Sequence, residues 1–187
     1  MPPDCLYQYS VHSAYAGGAV LNGPPVSFAT GYGDYAYCLT SGGEAILLID
    51  SKAWIFDDNH NAELAPPDTP LAFAMMCLFT PENRIVKPNG GDTMANLRDT
   101  FKKGKFQYDG INNPVPFAVR GAFSILKTTK GELKGAHGTI FGFAVPAWME
   151  NVSGPGIRCC FLSGCHKLGG EVVDYHSTRG TFVEWGM

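Results

Sequence analysis

Charge is what this chain has least of. Asp, Glu, Lys and Arg make up 17% of its 187 residues, well under the usual quarter, and the formal net charge is only -3. Such a surface carries no basic footprint for a phosphate backbone, so nucleic acid is excluded as an expected partner. Long apolar runs are missing too. Stretches such as 71–79 are about half of what a membrane-crossing helix needs, and no membrane association is expected. The opening Met1-Pro2-Pro3-Asp4-Cys5 shows no basic segment followed by an apolar one, the pattern of a secretory leader. The six cysteines therefore read as free thiols in a reducing compartment, and a cytoplasmic protein is expected. The sequon Asn151-Val152-Ser153 carries no weight in that setting. There is no Gly/Ser linker, low-complexity tract or run of like charge.

What is present is glycine and proline, 23 and 13 residues, with 45% hydrophobic and 12% aromatic content. A chain of this length buries a full core without staples, as one domain or as two small halves packed closely. The balance favours short strands and tight turns over long solvated helices. Residues 45–50 and 53–56 read as a hairpin turning at Asp50-Ser51-Lys52. Residues 57–70, polar and proline-bearing, predict a loop, and 71–79 predict a buried strand. A short helix is expected over 10–17, ending at Gly17-Gly18. The best helical pattern covers 93–103: Thr93 is placed to cap it, and Met94, Leu97 and Phe101 recur at helical spacing. Lys102 and Lys103 suit the negative end of its dipole, and Gly104 stops it. Strands are expected over 117–127, 139–145, 158–162, 171–175 and 180–185, with a helical turn at 146–151 opened by Pro146.

The most informative stretch is Gly156-Ile157-Arg158-Cys159-Cys160-Phe161, followed by Gly169-Gly170-Glu171-Val172-Val173-Asp174-Tyr175. It is preceded in order by Leu6-Tyr7-Gln8-Tyr9-Ser10, by Gly43-Glu44 leading into 45–50, and by the strand-like 123–129. Gly138-Thr139-Ile140-Phe141-Gly142-Phe143 with Pro146 and Met149 completes the series. In this order and spacing the chain resembles the alpha-acetolactate decarboxylase family nearly end to end. The resemblance implies a single α+β domain, 1–187, of two similar sheet-rich halves (approximately 1–110 and 111–187) with few short helices. It also implies a site where the halves meet.

In that family the quoted frame carries three histidines, whose imidazoles hold a zinc. The zinc polarises the carbonyl and hydroxyl oxygens of a 2-hydroxy-3-keto acid while carbon dioxide leaves. Here the three positions are Arg158, Cys160 and Glu171. A guanidinium does not ligate a cation and repels one at close range, so a site with no metal and no other cofactor is expected. The arginine of the family's Lys-Thr-Arg motif is Thr129 here, two residues after Lys127. The segment between Lys127 and His137 is shorter than in the family, and an acidic residue near the family's C-terminus falls beyond Met187.

Arg158 and Glu171 take positions that both point at one metal in the relatives, so they are expected to converge as an ion pair. As a plain salt bridge they fill the space left by zinc. As a site, Arg158 holds a carboxylate, enolate or diketone oxygen through its planar fork, and Glu171 orients it. Glu44, the retained member of the family's constellation, is the candidate for moving a proton; otherwise it is a strand-end residue after a Gly-Gly turn. Cys160 is either a small buried hydrophobe or a thiolate lowered by Arg158. Arg120, in an apolar strand, needs a partner or faces the pocket, and with Lys127, Thr129 and Cys160 it is a candidate for binding substrate. Cys165-His166 lacks the second ligand pair of a zinc finger, Asp57-Asp58-Asn59-His60 reads as a solvated turn, and Gly31 and Gly33 form no phosphate loop.

These residues point to a metal-independent enzyme acting on an oxygenated keto acid or polyketide-like metabolite by decarboxylation, proton transfer or cyclisation. The rivals are a pericyclase of secondary metabolism, in which positioning suffices, and a non-catalytic metabolite-binding relative. A further rival is a decarboxylase with an atypical metal on Cys160, Glu171 and Glu44. The expected partner is a small-molecule substrate, with homodimer formation left open.

Overall fold

Two six-stranded antiparallel sheets absorb the short apolar runs, in a computed structural model that describes residues 5–20, 22–87, 91–102 and 113–186. The first sheet has the order β1-β6-β2-β3-β4-β5, where β1 is Leu6–Tyr9, β2 Tyr35–Thr40, β3 Ala45–Ile49, β4 Lys52–Phe56, β5 Ala62–Leu64 and β6 Leu71–Cys77. The second has the order β11-β10-β9-β8-β12-β7, where β7 is Asn83–Lys87, β8 Val115–Thr128, β9 Gly131–Ala144, β10 Ile157–Ser163, β11 Gly169–Ser177 and β12 Thr181–Trp185. The helices are α1 His12–Ala16, α2 Val26–Thr30, α3 Met94–Lys102 and α4 Glu150–Ser153. None of them is long and apolar enough to cross a membrane.

Both faces of the first sheet are covered, which is why its strands read as continuous apolar runs. Tyr35, Tyr37 and Leu39 on β2, with Leu47 on β3 and Phe73 and Met75 on β6, pack against Ala118, Phe141, Phe143, Cys160 and Leu162 of the second sheet. The alternate residues Ala36, Cys38, Ile46, Leu48 and Ala74 turn the other way, onto Val26 and Ala29 of α2. This alternation is the period-two geometry of a strand.

The second sheet curls onto itself because β8 pairs along one edge with both β12 and β11. Its first half lies on β12 and its second half on β11, and the strand turns at Gly121. There φ is +148°, and a built Cβ would stand 2.9 Å from the Thr181 Cα, so only glycine allows the close approach. The enclosed core of Phe117, Phe123, Phe161 and Tyr175 is capped by Met94, Leu97 and Phe101 of α3.

The structure refines the expected elements. The hairpin β3–β4 closes through Asp50 and Ser51 alone, with φ of +50° and +61°, the twist-matched two-residue turn. A short strand, β5, lies inside the expected loop 57–70, because Ala62 and Leu64 meet β4 in register. The strand expected over 139–145 begins at Gly131, since β8 and β9 pair along their whole length. β1, β2, β7 and α2 lie in stretches whose local pattern was not distinctive. Thr93 does cap α3, its Oγ1 accepting the Asn96 N–H at 3.3 Å, while Lys103 and Gly104 lie outside the described residues. The strands change sheet between Cys77 and Asn83, so β7 and α3 pack with the second sheet, ahead of the boundary expected near residue 110.

Candidate functional site

Alternation along β10 sends Cys159 and Phe161 into the curled core and Cys160 and Leu162 toward the first sheet. Arg158 shares the second face, at the end of the strand, and Cys160 pairs in register with Glu171 on β11. The two charged side chains therefore converge. Arg158 Nη2 lies 3.1 Å from Glu171 Oε1, with 21% and 19% of the side chains exposed.

Tyr37 joins them from the facing sheet. Its hydroxyl donates to Glu171 Oε1 at 2.6 Å and accepts from Arg158 Nε at 3.2 Å and from Nη2. The guanidinium carbon stands 5.2 Å from the Tyr37 ring centroid. Burial, then Glu171, pushes the Tyr37 hydroxyl well above its ordinary range, and the opposing Arg158 charge does not prevail. Tyr37 thus stays protonated and acts as a donor. Burial works against the Arg158 charge, but Tyr37 and Glu171 outweigh it and hold the group above its ordinary value. Among the described residues, Nε and Nη2 of Arg158 have protein acceptors and Nη1 has none.

The remaining sequence candidates are placed differently. Cys160 is fully buried beneath the triad. Burial pushes its thiol well up, Glu171 adds to the effect, and Arg158 does not offset it; the lowering expected from Arg158 is overridden by desolvation. Glu44 is exposed in the β2–β3 turn, bonded to Thr40 Oγ1 through Oε2 at 3.3 Å and through its N–H at 3.2 Å. Among the described residues no hydrogen bond or ion pair joins it to the triad. Arg120 has found partners: Glu184 at 3.0 Å, Thr139 at 3.2 Å and the Tyr35 hydroxyl at 3.2 Å. Tyr35 in turn donates to Asp50 at 2.9 Å, so Tyr35 and Tyr37, two residues apart on one face, each hold an arginine of the facing sheet. Lys127 is exposed on β8, opposite Glu132 and Asp174. Thr129 is exposed too, and its N–H donates to the Glu171 carbonyl at 3.0 Å. Cys165 and His166 are exposed in the β10–β11 turn.

Sequence reasoning missed Tyr37 and His12. The spacing of Tyr35 and Tyr37 in a small-residue strand was a usable signal for the first. Nothing local marked the second, which packs beside the triad only through the fold. Its ring meets Phe73 edge-on at 6.0 Å and Tyr15 at 5.8 Å. Burial, then Arg158, lowers its pKa from 6.5, with Glu150 opposing.

The three positions do not fit a zinc ion. Arg158 brings a positive charge, Cys160 is held as a thiol, and Glu171 already serves Arg158 and Tyr37. Among the described residues no group of three His, Cys, Asp or Glu side chains is placed to hold a metal.

Two packed six-stranded sheets, the second curled onto itself, make an acetolactate-decarboxylase-like fold. Solved structures share it. An alpha-acetolactate decarboxylase from Bacillus subtilis strain 168 aligns with a TM-score of 0.81 at 18% identity over 97% of this chain and 86% of its own. Acetolactate decarboxylase from Bacillus subtilis subspecies spizizenii gives 0.80 at 18% identity, with 97% and 85% covered. A Staphylococcus aureus protein of unknown function similar to alpha-acetolactate decarboxylase gives 0.81 at 16%, with 97% and 84% covered. At these identities the likeness shows the fold. No protein-family model matches the sequence, and no curated protein matches it.

Proposed function

We propose that this chain is a metal-independent small-molecule enzyme on the acetolactate-decarboxylase-like fold, acting on an oxygenated keto acid by decarboxylation or proton transfer. The observation that carries the reading is the Arg158 fork: two of its nitrogens are engaged by Tyr37 and Glu171, and Nη1 has no acceptor among the described residues. In decarboxylation the bond to the carboxyl carbon breaks, and its electron pair moves toward the neighbouring carbonyl oxygen as an enolate. A guanidinium held rigidly where that charge develops supplies what a divalent cation supplies in other sites, without reorganisation. Glu171 and Tyr37 fix its plane.

The test uses chelator-treated protein with a panel of β-keto and 2-hydroxy-3-keto acids, following carbon dioxide release. Loss of a preorganised oxyanion donor costs about 10²–10³ in turnover, so Arg158→Ala should fall by that much and Arg158→Lys by less. Unchanged turnover in Arg158→Ala sinks the reading, and so does activity that appears only when a metal is restored. The mutual satisfaction of Arg158 and Glu171 favours a second reading, a metabolite binder without turnover. Binding of the same acids without any product would select it.

A further inference from the structure

We infer that His12 is a catalytic residue of this site, the group that takes and returns a proton on an enolisable keto acid. The inference rests on the reading of Arg158 as the holder of the oxyanion, and it reassigns to α1 the proton step expected of Glu44. The placement is geometric. On the inner face of the first sheet Tyr37 of β2 stands opposite Met75 of β6, and Phe73 is two residues along β6 on the same face. Such diagonal neighbours lie about 7–8 Å apart. Arg158 sits over the Tyr37 ring and the His12 imidazole sits over Phe73, so the two side chains stand over adjacent positions of one sheet face.

The imidazole is held there from above. Gly154, with φ of +92°, closes α4 against it, and a built Cβ at that position would stand 2.9 Å from His12 Cδ2. A side chain at 154 would push the ring aside. The charged and titratable groups facing it are Arg158 on β10, Glu150 on α4 and Tyr15 on its own helix. Burial and Arg158 together keep the ring neutral near pH 7, which is the form of a general base. Glu44, by contrast, is exposed and bonded to Thr40.

The step balances within the site. An imidazole nitrogen takes the proton from the carbon beside the carbonyl. The C–H electron pair becomes the enolate π bond, and the negative charge settles on the oxygen facing Arg158. The imidazolium then returns a proton to that carbon, with no co-reactant.

The experiment is solvent exchange with 2-oxobutanoate in D₂O, in which proton NMR follows loss of the C3 signal. The protein is expected to catalyse exchange, and His12→Gln should slow it by about 10² or more while leaving 2-oxobutanoate affinity unchanged. Arg158→Ala should weaken the affinity itself. Exchange at the parent rate in His12→Gln, or loss confined to Glu44→Gln, overturns the role of His12. Parent-level binding and exchange in Arg158→Ala instead overturns the reading of Arg158, and the assignment of His12 to this site falls with it. No exchange by the parent protein overturns both. Should His12→Gln fail to fold, the parent protein alone decides: the His12 Cε1–H resonance must shift on adding 2-oxobutanoate, and an unmoved resonance refutes the assignment.

Discussion

Tyr37→Phe isolates the hydroxyl that ties the two sheets to the ion pair. The ring is fully buried, and phenylalanine keeps its volume and its place beneath the guanidinium, so packing is conserved. What is lost is one bond donated to Glu171 at 2.6 Å and two accepted from Arg158, one from Nε at 3.2 Å and one from Nη2. A hydrogen bond to a charged group contributes about 1.5–3 kcal/mol. The Arg158–Glu171 pair survives the change, and with 21% and 19% of those side chains exposed water recovers part of the loss. The net cost is therefore about 2 kcal/mol, nearer one such bond than two. For a protein of this size that corresponds to a fall in Tm of about 4–8 °C. Urea unfolding and thermal melts of the purified variant measure it. A second arm, Glu171→Gln alone and combined with Tyr37→Phe, should return a coupling energy of about 0.5–3 kcal/mol. A fall of under about 1 °C with additive single effects would refute the triad as a coupled unit.

Two further outcomes follow from the same geometry. His12, lowered in the folded state, binds fewer protons there than in the unfolded chain as pH falls through 6.5; stability conferred by neutral His12 is present above that pH and lost below it. The parent protein should therefore lose stability relative to His12→Gln between pH 7.5 and 5, as measured by urea midpoints, and parallel curves would contradict the partly buried placement beside Phe73. In native protein a thiol reagent should find Cys165 early, since it is exposed and its pKa is lowered by Ser163 and by the Lys167 backbone. Cys38, pushed up to about 12 by burial, and Cys160 should react only on unfolding. Mass mapping of the label reads this directly, and native labelling of Cys160 would overturn its burial.

Much of the architecture was legible locally. Apolar runs bounded by Gly, Pro and Asp marked the β3–β4 hairpin, β6, β8, β10, β11 and β12, because strand formation follows from period-two burial and turn chemistry that a short window contains. Thr93 with Met94, Leu97 and Phe101 marked α3 for the same reason. The stretch 57–70 misled, since Ala62 and Leu64 become a strand only through pairing with β4. The frame around Arg158 and Glu171 likewise announced a convergence, but not the third member of it.

The order of polar and apolar residues along the chain, by itself, determined that it would form short antiparallel strands, with the charges of Arg158 and Glu171 on two of them. It could not determine what those charges meet. Tyr37 lies 121 residues from Arg158, and only the packing of one sheet on the other places its hydroxyl between guanidinium and carboxylate. The same packing buries Cys160, so that desolvation rather than its charged neighbour governs the thiol, and brings His12 over Phe73 beside the ion pair. Local sequence acts through backbone preference and side-chain periodicity, which extend over a few residues. A site's electrostatics depend on the distance and dielectric between groups far apart in the chain, and those exist only once the sheets have closed.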